Sequence, residues 1–280
     1  TQNDIEMLED TPEEFVAEAT DICERQESET YKTSAAQLFE AISDHIDGVL
    51  SFSVNLLCEL LDQSLSQSPV ENYPNLSQFP NSIILSLPEE IKADLAFTAL
   101  STINYSVSRR RDLTTVVENV LKKYLPHWPN VKSAVIQAKF CLFLNYYCEY
   151  VFENDSESFS MLLQSLLYFC DPNTCSKAAN IQASDTISNI IQDEDVSFRL
   201  ENYMADIWQR LMQIIPYQNC KGFYEGLQEI VAGHMEVVFP YIGQLVPVLV
   251  KKIQDEFSRT QPKPGKNRKT STIIIKCWNI

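Results

Sequence analysis

The feature that most constrains this chain is a helical opening that recurs at a fixed distance. Lys132-Ser133-Ala134-Val135-Ile136-Gln137-Ala138 and Lys177-Ala178-Ala179-Asn180-Ile181-Gln182-Ala183 agree at five of seven positions with an offset of 45. Lys221-Gly222-Phe223 repeats the lysine 44 positions on, Lys92-Ala93 stands 40 before Lys132, and Lys32 precedes Ala35-Ala36-Gln37. Between these points apolar residues return at i, i+3, i+4 and i+7, the pattern of amphipathic helices. The breaks hold helix stops and caps: His127-Trp128-Pro129-Asn130, Asp171-Pro172-Asn173-Thr174 and Gln218-Asn219. Helix pairs with a period of roughly 40–47 residues mark HEAT or armadillo arrays. One pair cannot bury its own apolar face, so successive pairs stack on a shared core. The expected fold is all-α, a right-handed α-solenoid of antiparallel HEAT repeats.

Helices are expected from Thr11, whose Thr11-Pro12-Glu13-Glu14 reads as a capping box, then over 33–45, 49–66, 89–106, 113–124, 131–152, 158–169, 175–191, 198–214, 221–233 and 237–256. They group into one solenoid segment with pairs at 11–48, 49–108, 112–153, 156–192, 197–234 and an incomplete 237–280. Two insertions interrupt it: 67–87, with Pro69, Pro74 and Pro80, and the basic 257–269. Long loops inside a compact array are functional or disordered in most cases. Small residues (Ala134, Ala138, Ala179, Ala183) permit close helix approach. The recurring Lys92, Lys132, Lys177 and Lys221 are candidate ladder residues, donating to the turn of the next repeat, or else are solvated beside it. The apolar stretch Ile273–Ile280 and the acidic start are those expected of an internal piece of a longer solenoid.

Chemistry finds little foothold. With six glycines in 280 residues, a phosphate-cradling loop is not to be expected. No Ser, His and Asp arrangement or carboxylate pair stands out, so neither an enzyme nor a cofactor is expected. The eight cysteines form no C-x-x-C pair and lie far from His45, His127 and His234, which argues for free thiols, no metal and a reducing compartment. No signal peptide is visible, and no apolar run reaches the roughly 20 residues of a membrane span. The net charge is −16 and unevenly spread: eleven acids against Arg25 in residues 1–29, eight bases against two acids in 251–280. Such a start repels nucleic acid and attracts basic proteins, which makes Glu9, Asp10, Glu13, Glu14 and Glu18 candidate contacts for a basic partner; plain solubility charge is the alternative. Arg109-Arg110-Arg111 suits a helix end, 263–269 reads as a solvated basic loop, and Phe140, Phe143, Tyr146, Tyr147, Trp208 and Trp278 read as core.

Three stretches resemble one family. Leu8-Glu9-Asp10-Thr11-Pro12-Glu13-Glu14-Phe15-Val16 is similar to the acidic D-P-x-E-Y/F-I/V segment of importin-β superfamily nuclear transport receptors, with Ser34-Ala35-Ala36-Gln37-Leu38 following as the next helix start. Ala138–Phe152 resembles the family's A-R-A-C-W-V-L-H-Y-F-C-E helix, and Lys177–Ile191 its K-V-E-A-A-I-A-L-Q-x-L-I helix. The importin seven and eight branch is the most similar; it carries an acidic loop where 259–269 is basic here, so that loop's function is not transferred. The resemblance implies a receptor shuttling between cytoplasm and nucleus. It would bind protein cargo of basic character and phenylalanine-glycine nucleoporins, and be regulated by Ran-GTP, whose main binding region in the family lies outside this sequence. A HEAT scaffold or regulatory subunit of another complex, and an exportin of the same superfamily, are the alternatives.

Overall fold

The computed structural model describes residues 7–17, 31–46, 48–66, 72–79, 83–148, 150–218 and 221–260. The described residues are helical with short turns, and no strand occurs among them. The long helices are α1 (Tyr31–His45), α2 (Val49–Ser66), α3 (Glu89–Thr102), α4 (Arg111–Tyr124), α5 (Ala134–Tyr147), α6 (Ser156–Phe169), α7 (Lys177–Gln192), α8 (Met204–Ile214), α9 (Lys221–Gly233) and α10 (Ile242–Thr260).

Their packing is chiefly between sequence neighbours and second neighbours. Within pairs, α2 packs on α3, α6 on α7 and α8 on α9. Among odd-numbered helices, α1 meets α3, α3 meets α5, α5 meets α7 and α7 meets α9. The even-numbered set joins likewise, α2 to α4 and α6 to α8, with the turn Leu125–Asn130 bridging α4 to α6. The helices thus form two layers around one continuous apolar core running from Val54 to Val238. Its thickest part is aromatic, where Phe97, Trp128, Phe140, Phe143 and Phe169 interlock and Trp128 stacks on Phe140 at 3.6 Å.

Caps set the helix starts. Ser133 and Ser176 accept from the amides of Ile136 and Ala179, and Asp155 from that of Ser158, satisfying donors that a first turn leaves open. Several helices are shorter than their apolar patterns. The 131–152 pattern yields a helix only over Ala134–Tyr147, and beyond it the chain turns at Phe152, a non-glycine residue with φ 59°. That left-handed turn is held from both sides: Glu118 Oε1 accepts from the Phe152 amide at 2.9 Å, and Arg199 donates to its carbonyl at 2.8 Å. The 198–214 pattern opens with the 3₁₀ turn Phe198–Tyr203, and 237–256 splits at Phe239–Tyr241. At the other end α10 runs to Thr260, so 257–260, expected as loop, is helical, while 261–269 lies outside the described residues.

The 67–87 insertion is fastened down where it is described. Tyr73 and Leu76 enter the core, and Glu59 of α2 accepts from the Asn75 amide (2.9 Å), its side chain (2.6 Å) and the Leu76 amide (3.0 Å). Asp62, one turn on, accepts from Tyr73 Oη at 2.8 Å and from Lys123 and Tyr124 of α4. One carboxylate therefore joins the insertion to two helices of the even-numbered layer.

Candidate functional site

The acidic segment is described over residues 7–17. Residues 7–10 and 12–17 are two helical turns meeting at Thr11. Thr11 does not close a capping box. Its carbonyl accepts from the Glu14 and Phe15 amides, while its hydroxyl turns back toward the Met7 carbonyl at 3.5 Å. Leu8, Phe15 and Val16 are buried against Ala138 of α5 and Ala178 and Ile181 of α7, with Met7, Ala134 and Val135 at the margin. This cluster is separate from the main core. At 100° per residue, Ala178 lies on the face of α7 opposite the core residue Ile187. The segment therefore straps across the odd-numbered layer on its side away from the core.

With the apolar side anchored, Glu9, Asp10, Glu13 and Glu14 are exposed. Glu18 lies outside the described residues. Four carboxylates from two helical turns thus stand together on one layer of the molecule, a field that attracts cationic side chains and weakens with salt.

The candidate ladder lysines have different fates. Lys92 is 3% exposed and pairs within its own unit, with Glu89 at 2.9 Å and Gln63 of α2 at 3.3 Å. Lys132 and Lys177 are exposed at the starts of α5 and α7 and carry no ion pair. The side chain of Lys221 lies outside the described residues. The bonds that do cross between units come from other residues. Lys139 of α5 reaches Asp94 (3.2 Å) and Thr98 (3.4 Å) of α3, with its ammonium 5.7 Å from the Phe15 ring. Tyr147 Oη donates to the Leu100 carbonyl, Thr186 Oγ1 to the Cys141 carbonyl and Asn189 Nδ2 to Asn145 Oδ1, at 2.9, 2.9 and 2.7 Å. These partners are 41–47 residues apart, so the repeat spacing was a signal for them; which side chain on the turn would use it was not. Gln182, next to Ile181, is 1% exposed, and neither of its amide atoms has a hydrogen-bond partner.

Two clefts open on the described surface. One of about 400 Å³ lies between α6 and α8 and is polar, lined by Leu167, Asp206, Gln209, Arg210 and Gln213. The other, about 210 Å³, is apolar: Phe39 of α1, Ser53, Leu56 and Leu57 of α2, and Leu95 and Ala99 of α3.

Cys58, Cys141 and Cys170 are buried, and burial pushes all three thiols up, Cys58 to about 12. As protonated thiols they act as small apolar groups of the core. Cys23, Cys220 and Cys277 lie outside the described residues. Among the described residues no cluster of His, Cys, Asp and Glu is arranged to hold a metal ion, and no single helix is long and apolar enough to cross a membrane. Comparison of the chain with protein-family models, with curated proteins and with solved structures finds no match.

Proposed function

We propose that this chain is a HEAT-type solenoid segment that works by holding proteins and not by catalysis, as a nuclear transport receptor of the importin-β kind. The layered packing, in which α3, α5, α7 and α9 begin 43–45 residues apart and each meets the next, supports the solenoid, and a right-handed superhelix is its expected course. The observation that carries the functional reading is the acidic strap. Leu8, Phe15 and Val16 fasten it to α5 and α7, and Glu9, Asp10, Glu13 and Glu14 are left facing solvent. A basic protein cargo is the partner this surface fits. The apolar cleft at Phe39, Leu56 and Leu95 is the place proposed for a phenylalanine of a nucleoporin repeat. Ran-GTP is the proposed release signal for a receptor that shuttles between cytoplasm and nucleus, and nucleic acid and membranes are not proposed partners.

The test is binding of a lysine- and arginine-rich nuclear protein to the purified chain, across a salt series. Changing Glu9, Asp10, Glu13 and Glu14 together to lysine is expected to weaken capture tenfold or more at low salt, with less difference at high salt. A phenylalanine-glycine repeat peptide is expected to bind, and Leu95→Asp to abolish that binding. Unchanged capture, together with recovery of one fixed stoichiometric complex from cells and no nucleoporin, decides for the scaffold reading.

A further inference from the structure

The surface under residues 7–17 has the make-up of a binding site that is already occupied. Its floor is small and apolar (Ala134, Ala138, Ala178, with Ile181), so a helix can approach closely. Its rim is basic. Lys177 is the first residue of α7, Lys132 stands two before Ala134, both are exposed and neither has an ion pair, and Lys139 lies over the Phe15 ring. A lysine at a helix N-terminus opposes the helix dipole, and Lys132 and Lys177 give this rim a charge opposite to that of the segment. The segment that sits there supplies four carboxylates, Glu9, Asp10, Glu13 and Glu14, and three apolar anchors, Leu8, Phe15 and Val16. Occupant and site thus fit through their apolar residues, and they carry opposite charge. Three of the eleven side chains of residues 7–17 are buried, against twelve of the sixteen in α7. Few buried contacts place a segment at the low end of local stability.

We propose that residues 7–17 are a tethered occupant of this platform, and that once they lift away it takes an acidic amphipathic helix from a partner protein. The guest would present two or three apolar residues on one face, spaced like Leu8, Phe15 and Val16, and carboxylates around them. Intramolecular tethering raises the strap's effective concentration, so a free guest competes only when it binds better or when the strap is drawn off. A basic partner engaging the strap's acids is one means of drawing it off. This inference rests on the reading that the strap-bearing face of the odd-numbered layer is where partners are held.

The probe is a fluorescein-labelled peptide with the sequence of residues 4–17, titrated into the full chain and followed by anisotropy. Leu8→Asp, Phe15→Asp and Val16→Asp together free the platform, and the peptide is expected to bind that variant at least tenfold more tightly than the unaltered chain. Adding Lys132→Glu and Lys177→Glu to that variant is expected to remove most of the gain. A peptide with serine at the three anchor positions is expected not to bind. Equal affinity for the unaltered and strap-freed chains, or binding by neither, overturns the proposal. Should circular dichroism show the triple variant unfolded, Phe15→Ala alone in the same titration decides it by the same criterion. Intact capture of basic protein alongside a failed titration removes only the platform; lost capture alongside a successful titration removes only the transport reading.

Discussion

Asp62 shows how one side chain can join three pieces of chain. Partial burial pushes its carboxyl up, but hydrogen bonds from Lys123, Tyr124 and Tyr73 outweigh that, and it stands below its usual value. On the same partnership, burial and the bond to Asp62 push Tyr124 up to about 12. Because the folded value is depressed, the group's contribution is fully present above the unfolded value near 3.9 and is lost as pH falls through the folded one. Asp62→Asn is expected to cost roughly 1–3 kcal/mol at pH 7. Urea midpoints of both chains at pH 7, 5 and 3 test this: the gap should narrow on the acid side, and a gap independent of pH counts against the account. Glu118 plays a similar part between Arg111 (3.3 Å) and the Phe152 turn, where a non-glycine residue keeps φ 59° because neighbours on both sides fix it.

Among elements, the contact of α9 with α7 depends on a missing side chain. A Cβ on Gly226 would lie 2.6 Å from Ser188 Cβ and 2.8 Å from Ser188 Cα. Backbone cannot move aside cheaply, so Gly226→Ala is expected to destabilise the chain by about 1–3 kcal/mol, despite alanine's advantage of about 1 kcal/mol in a helix. Gly243, in α10, has nothing within 4 Å of such a Cβ, and Gly243→Ala is expected to stabilise by roughly 0.5–1 kcal/mol. Opposite shifts in melting temperature confirm the contrast, and same-sign shifts defeat it. The repeat lysines belong to the same scale. The 40–45 residue spacing falls near the starts of α3, α5, α7 and α9, with Lys92 fourth in its helix and Lys132 two residues before its own, yet the cross-unit bonds fall to Lys139, Tyr147, Thr186 and Asn189, further along the helices. Spacing identifies an equivalent turn; which residue on that turn faces the next helix depends on crossing geometry.

Over the whole molecule, burial is greatest in the middle and falls toward the ends. Most of α5 and α7 is buried, whereas Leu38 and Ile42 on α1 and Ile242, Val246 and Val250 on α10 are exposed apolar residues. The proposed solenoid would be held together by nearest-neighbour contacts, and on that reading amides of α5 and α7 are expected to exchange hydrogen slowest and those of α1 and α10 fastest, by tenfold or more. Uniform protection across all ten helices would argue for a single globular core instead. By itself the sequence determined the helical class, the places where most helices begin, the aromatic core of Phe140, Phe143, Tyr147 and Trp208, and the acidity of residues 7–17, because periodicity, capping and charge are local properties. Only the tertiary structure decided that Phe15 and its neighbours lie on α5 and α7, more than a hundred residues away, and that the 67–87 insertion is tied to α2. Both outcomes follow from which apolar faces the long helices leave uncovered, a matter of packing that no stretch of chain carries alone.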